Sequence, residues 1–207
     1  MQRVLIAFLS ISVLFSGVAR GGDEKEKSKS RFAPGPASQY KGNQTNEGIA
    51  MAAIPYISAD QTQSAFGKLN PNDHGILPVL VILENKTGKA LRLDLKAEYV
   101  PGTGDRVEDT PAKDLPYLKS PKQPKLVEES RLPKIPGVGG KKKSPLAAWE
   151  IEGRAFLAKL LPPGETVSGF FYFQARHLAG SRLYLTGIKD AQTGKEYFYF
   201  ELPLEQQ

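Results

Sequence analysis

The residues able to exchange protons near neutral pH are two histidines, His74 and His177, and the chain has no cysteine. His74 follows Asp73 in Asn70-Pro71-Asn72-Asp73-His74-Gly75. An adjacent carboxylate can orient an imidazole for general acid–base work. No serine stands in nucleophile-elbow spacing beside it. Asn, Pro, Asp and Gly together are also the residues of a turn. A turn is the simpler reading, and an envelope hydrolase using His74 and Asp73 is the alternative. His177, in Gln174-Ala175-Arg176-His177-Leu178, reads as a loop or strand-end residue. Two isolated histidines fall short of the three or four protein ligands of a zinc site. The acidic residues are scattered, without the spacing of a calcium loop. Gly137 to Ser144 (GVGGKKKS) is glycine-rich, but Gly140-Lys141 is followed by Lys, and Pro145 stands where a phosphate-loop helix would begin. The expectation is therefore no metal, no cofactor and no catalysis.

Binding chemistry is better represented. Residues 101–148 carry 8 of the 16 prolines and 10 of the 28 basic residues. Pro121-Lys122-Gln123-Pro124-Lys125 and Pro133-Lys134-Ile135-Pro136 are both P-x-x-P, and Lys141, Lys142 and Lys143 follow. Proline-rich stretches favour an extended conformation that aromatic grooves recognise. Clustered lysines near an anionic surface contribute about 1 kcal/mol each. Lys122, Lys125, Lys134, Lys141, Lys142 and Lys143 are thus the candidate partner contacts, and an envelope protein or an anionic envelope surface is the expected partner. The plain alternative is a solvated insertion. Nucleic acid is not expected, because Tyr117 is the segment's one aromatic residue and offers no series of rings for bases to stack on.

A second candidate surface comes from Phe170-Phe171-Tyr172-Phe173 and Tyr197-Phe198-Tyr199-Phe200. Neighbours in a strand face opposite sides, so one aromatic set can fill a core while the other lies outside. If these strands pair, Tyr172, Tyr197 and Tyr199 form an exposed platform for a sugar or peptide. Otherwise they pack under a loop or against the insertion.

These residues sit in a chain of 207 with a net charge of +6. Its start has the layout of a secretory signal: Arg3, an apolar run of 12 from Val4 to Phe15, then small residues up to Ala19. The run is shorter than an ordinary transmembrane helix needs. Residues 1–19 therefore read as a signal peptide, cleaved or kept as an anchor, and the protein as exported to a periplasmic or extracellular space. No span is expected beyond it. Residues 20–48 have few apolar positions and read as a disordered tether. Residues 49–207 read as one domain interrupted by the insertion at 101–148. The insertion has net charge +4, whereas 49–100 sums to zero and 149–207 to −1. The positive balance thus belongs mostly to the insertion.

The two apolar blocks read as strands. Leu91-Arg92-Leu93-Asp94-Leu95-Lys96-Ala97-Glu98-Tyr99 alternates strictly and predicts a half-buried antiparallel strand. Val79-Leu80-Val81-Ile82-Leu83 is apolar on both faces and predicts a central strand. The Asn85-Lys86-Thr87-Gly88-Lys89 turn between them predicts a hairpin. A second hairpin is expected from 181–186 and 196–202 around Asp190-Ala191-Gln192-Thr193-Gly194-Lys195. Gly153 to Leu161 and Val167 to Phe173 read as strands joined by Pro162-Pro163-Gly164-Glu165, a type II turn. Gly48 to Ile57 reads as a first strand, confined by Pro55 to an edge or a break. Trp149 to Glu152 reads as a short strand, and Asp60 to Leu69 as at most one helical turn. The sum is an all-β chain of seven or eight short strands.

In the ILPVLVILEN–TGK–LRLDLKAEY stretch and the LPPGETVSGFFYF corner, the chain resembles the immunoglobulin-like antiparallel β-sandwiches of exported bacterial proteins. The likeness is architectural and covers 49–100 and 149–207. The chain as a whole reads as a non-catalytic binding or structural module of the cell envelope, docking a partner through its long irregular insertion. A carbohydrate-binding module using the tyrosine face is the other reading.

Overall fold

The computed structural model describes residues 32–118 and 144–206. Nine strands follow in chain order: β1 (Gln44–Asn46), β2 (Ile49–Pro55), β3 (Leu77–Asn85), β4 (Leu91–Val100), β5 (Val107–Glu108), β6 (Leu160–Leu161), β7 (Thr166–Phe173), β8 (Arg182–Asp190) and β9 (Phe200–Pro203). They form two antiparallel sheets. One has the order β1-β2-β3-β7; the other has the order β5-β4-β8-β9, with β6 also on β4. The architecture is an all-β sandwich.

Alternation decides what lies between the sheets. Leu77, Val79, Val81 and Leu83 of β3 face Leu91, Leu93, Ala97 and Tyr99 of β4 across one apolar cluster, with Phe171, Phe173, Leu183, Leu185, Phe200 and Leu202 completing it. The β4 positions are those the period of two predicts, and between them Arg92, Asp94 and Lys96 point to solvent. Between Leu93 and Lys96 the β4–β8 register shifts. Gly187 stands there with φ +90°, and a Cβ on it would overlap the Asp94 carbonyl oxygen. Only glycine fits such a bulge without strain.

β3 is apolar on both faces because sheet β1-β2-β3-β7 is covered twice. Its outer face carries Ala52, Ile54, Leu80, Ile82, Phe170 and Tyr172, buried with Phe66, Leu115, Leu146 and Ile151 from a layer of short helices. That layer goes beyond the one helical turn expected at Asp60 to Leu69. Helix α1 (Ala59–Phe66) starts on a capping box in which Ser58 and Gln61 satisfy each other's backbone N–H groups. Thr62, Ala65 and Phe66, spaced i, i+3, i+4, are its buried side. Trp149 to Glu152 is not a strand either: α2 (Trp149–Gly153) places Ile151 on the sheet. Of the predicted strand 153–161 only β6 remains, while 154–156 runs beside the free edge of β7, with Phe170 N–H donating to the Arg154 carbonyl at 2.8 Å.

The insertion's described ends belong to the same layer. The 3-10 turns Ala112–Tyr117 and Pro145–Ala147 bury Leu115 and Leu146. Of the expected tether, 20–48, residues 20–31 lie outside the described residues, while Ala37, Phe32 and Tyr40 pack in this layer. Phe32 packs against Phe170 with ring centres 5.6 Å apart. The buried Glu84 carboxylate accepts the Ala37 N–H, and β1 pairs with β2. β1 thereby makes β2 an inner strand, and Pro55 is its last residue rather than the mark of an edge.

The hairpin expected from β3 and β4 does not form. β3 has β2 and β7 on its two edges, and β4 lies in the other sheet. The turn after Asn85 therefore crosses the sandwich. Fully buried Asn85 organises the crossing: its amide donates to the carbonyls of Lys89, Leu161 and Pro162, and its Oδ1 accepts from Thr87. The second Thr-Gly-Lys turn does close a hairpin, β8 to β9. There the Asp190 carboxylate accepts the N–H groups of Gln192 and Thr193, both at 2.9 Å, and pairs with Lys89 at 3.2 Å. The Pro162–Glu165 turn has the expected geometry, with Gly164 at φ +78° and Glu165 N–H reaching the Pro162 carbonyl.

Candidate functional site

The outer face of sheet β5-β4-β8-β9 is the one broad sheet face that the described residues leave open to solvent, since the helical layer covers the other sheet. Antiparallel register builds a row across it: Glu108 opposite Glu98, Glu98 opposite Tyr184, and Tyr184 opposite Glu201. Arg106, just before β5, reaches over this row. Its guanidinium lies 4.9 Å from the Tyr184 ring centre and bonds Glu98 at 2.9 Å. On the other side, the Tyr184 and Tyr199 rings are 5.0 Å apart and tilted by 36°. Arg106, Tyr184 and Tyr199 thus form a contiguous series running from β5 to the approach to β9. Cation–ring contacts of this kind contribute about 0.5–1 kcal/mol at an exposed site.

The series ends in the open ring of Tyr199. Tyr199 is 54% exposed and its neighbour Phe198 69%. Such rings offer flat apolar faces with a polar rim, the chemistry that stacks against a sugar ring or a planar group. Charges on this face are largely paired: Arg92 with Asp94, Arg106 with Glu98, and Arg182 with Glu201, each within 3.0 Å. The face therefore has little net charge and donors and acceptors of both kinds around an aromatic centre.

The tyrosines predicted as one platform are separated. Tyr172 lies on β7 in the other sheet, buried under the helical layer, and its phenol donates to the Ile151 carbonyl at 2.7 Å. Burial raises its pKa above the ordinary phenol value. Tyr197 is half-buried against the inter-sheet cluster, and its N–H donates to the Ile188 carbonyl. Tyr199 alone of the three is exposed on the open sheet face. Tyr184 and Arg106, absent from the predicted platform, are its partners. The alternation Leu183-Tyr184-Leu185 is the signal that could have placed Tyr184 outward; its meeting with Tyr199 and Arg106 depends on strand register.

Lys122, Lys125, Lys134, Lys141, Lys142 and Lys143 lie outside the described residues. At the ends of the segment they belong to, Tyr117 is 85% and Trp149 69% exposed. Asp73 and His74 sit in the 3-10 turn Pro71–His74, capped by Asn70 and closed by Gly75 at φ +75°. No hydrogen bond or ion pair joins Asp73 to His74. Among the described residues no group of three His, Asp or Glu side chains is placed to hold a metal, and no helix is long and apolar enough to cross a membrane. Comparison with family models, with curated proteins and with solved structures returns no match.

Proposed function

We propose that this chain is an exported, non-catalytic binding module of the immunoglobulin-like class, and that its ligand is a neutral glycan stacked on Tyr199 and Phe198. The observation that carries the ligand is the Arg106–Tyr184–Tyr199 series, which ends in the open ring of Tyr199 on a face of paired charges, with exposed Phe198 next to it in sequence. A sugar presents apolar C–H faces to aromatic rings and hydroxyls to the surrounding carboxylates and guanidinium groups. Paired charges favour a neutral glycan over an ionic one. Support for the class is the strand order. If β2, β3, β4, β7, β8 and β9 are read as A, B, C, E, F and G, then A-B-E form one sheet and C-F-G the other. Support for export is the sequence pattern of residues 1–19.

Electrophoresis through gels containing neutral polysaccharides tests the ligand. Retardation of the wild-type protein by at least one, weakened about tenfold in Tyr199→Ala, is the expected result, since one aromatic contact is worth about 0.5–1.5 kcal/mol beyond its buried area. Equal retardation of wild type and variant would contradict it.

A second reading, docking of an envelope partner through the basic insertion, is supported by the exposed Tyr117 and Trp149 rings at its two ends. Binding to vesicles containing anionic lipid should then weaken as salt rises. It should also fall when Lys141, Lys142 and Lys143 are replaced by Gln. Salt-independent binding, or none, would remove this reading.

A further inference from the structure

A second polar site lies at one end of the sandwich, distinct from the aromatic face. A groove of about 440 Å³ is lined by Ile57, Asn72, Ala175, Arg176, His177 and Gln206. A neighbouring one of about 310 Å³ shares Ile57 and Gln206 and adds Ser58 and Gln61. We propose that this end groove binds a small oxyanion, a carboxylate or phosphate group, through Arg176 with His177 and Asn72 beside it.

Three observations carry the assignment. Arg176 is an exposed cation with no ion pair among the described residues, although Arg92, Arg106 and Arg182 each hold a carboxylate within 3.0 Å. A guanidinium fork matches the oxygens of a carboxylate or phosphate bidentately. The loop carrying it is also held in place from beneath. The Tyr99 phenol, 1% exposed in the inter-sheet core, donates to the Arg176 carbonyl and accepts the Leu178 N–H, both at 3.0 Å. A buried phenol that fixes the backbone on both sides of His177 preorganises the loop. Finally, the His177 ring is oriented: its Nε2 lies 2.8 Å from the Leu204 carbonyl oxygen, so Nε2 carries the hydrogen and Nδ1 is an acceptor that meets the anion through an anion O–H or a bridging water. The acidic neighbours in sequence, Asp73 and Glu205, do not line either groove.

The test is a pair of NMR titrations of the whole protein at constant ionic strength, one with inorganic phosphate and one with acetate. Saturable shifts of the His177 ring and the Arg176 and Leu178 amides are expected with at least one anion, at least about tenfold weaker in Arg176→Ala. Saturation by phosphate alone assigns a phosphate group, and by acetate alone a carboxylate. The Arg176 side chain is exposed, so its variant should fold as the wild type does, and unchanged amide dispersion elsewhere would verify that. Shifts that rise linearly without saturation for both anions would overturn the proposal. So would equal affinity in Arg176→Ala.

Discussion

The Asn85 side-chain amide donates to the Leu161 carbonyl at 3.0 Å, joining the end of β3 to a residue 76 positions later. The same amide reaches Lys89 and Pro162, so one buried side chain holds both the crossing from β3 to β4 and the approach to β7. Asn85→Ala would leave these carbonyls without their donor. A loss of about 2–4 kcal/mol is expected, at the scale of more than one buried group losing its bond. Urea unfolding measures it; a shift below about 1 kcal/mol would mean water replaces the amide.

Gly187→Ala should be among the most damaging single-methyl additions in the chain. The residue has φ +90°, and the new Cβ would overlap the Asp94 carbonyl oxygen in the β4 bulge. Gly169→Ala should also be costly, since its Cβ would stand 2.5 Å from the Phe156 Cα where 154–156 covers the edge of β7. Each is expected to cost more than about 2 kcal/mol by thermal or urea unfolding. Gly88→Ala, with open space around its Cβ, should show only the smaller effect of its positive φ.

Acid stability depends on Asp190. The Thr193 N–H, with Lys89 and the Gln192 N–H, outweighs the effect of burial and holds its carboxyl at about 2. A carboxyl in the unfolded chain titrates near 3.9. A lowered folded value means the stabilisation is complete above the unfolded pKa and is lost as pH falls through the folded one. Between about pH 4 and pH 2 the wild type should therefore lose stability more steeply than Asp190→Asn. Urea midpoints against pH check this, and parallel curves for the two proteins would contradict it.

Tyr172→Phe separates the core tyrosine from the open face. It removes the bond to the Ile151 carbonyl and leaves that acceptor buried. A cost of about 1–3 kcal/mol is expected. Glycan retardation of the folded variant should match the wild type, whereas Tyr184→Ala should weaken it by removing the ring that supports Tyr199. Loss of retardation in folded Tyr172→Phe would place the ligand elsewhere.

What the sequence makes legible follows from the range of each physical rule. The strict alternation of 91–99 and the two-faced apolar run of 79–83 identify β4 and β3, because burial period is a local property. Pairing is not local. The turn at Asn85 and the turn at Asp190 share Thr-Gly-Lys, yet one crosses between sheets and the other closes a hairpin; what differs is whether the strand's edges are already taken by β2 and β7. The helical layer was hard to read because each piece is short. Even so, the Ser58/Gln61 capping box and the spacing of Thr62, Ala65 and Phe66 are written in the sequence. In the site, Tyr199 was legible as an outward aromatic. Its partners Tyr184 and Arg106 meet it only through register.

We propose that a neutral glycan stacks on Tyr199 at the open face of the β5-β4-β8-β9 sheet. The most direct test is an NMR titration of the whole protein with a panel of neutral oligosaccharides, following assigned aromatic side chains. Saturable shifts are expected at Tyr184, Phe198 and Tyr199 with at least one member, and none at buried Tyr172. Silence of those three rings across the panel, or shifts confined to other surfaces, would contradict it.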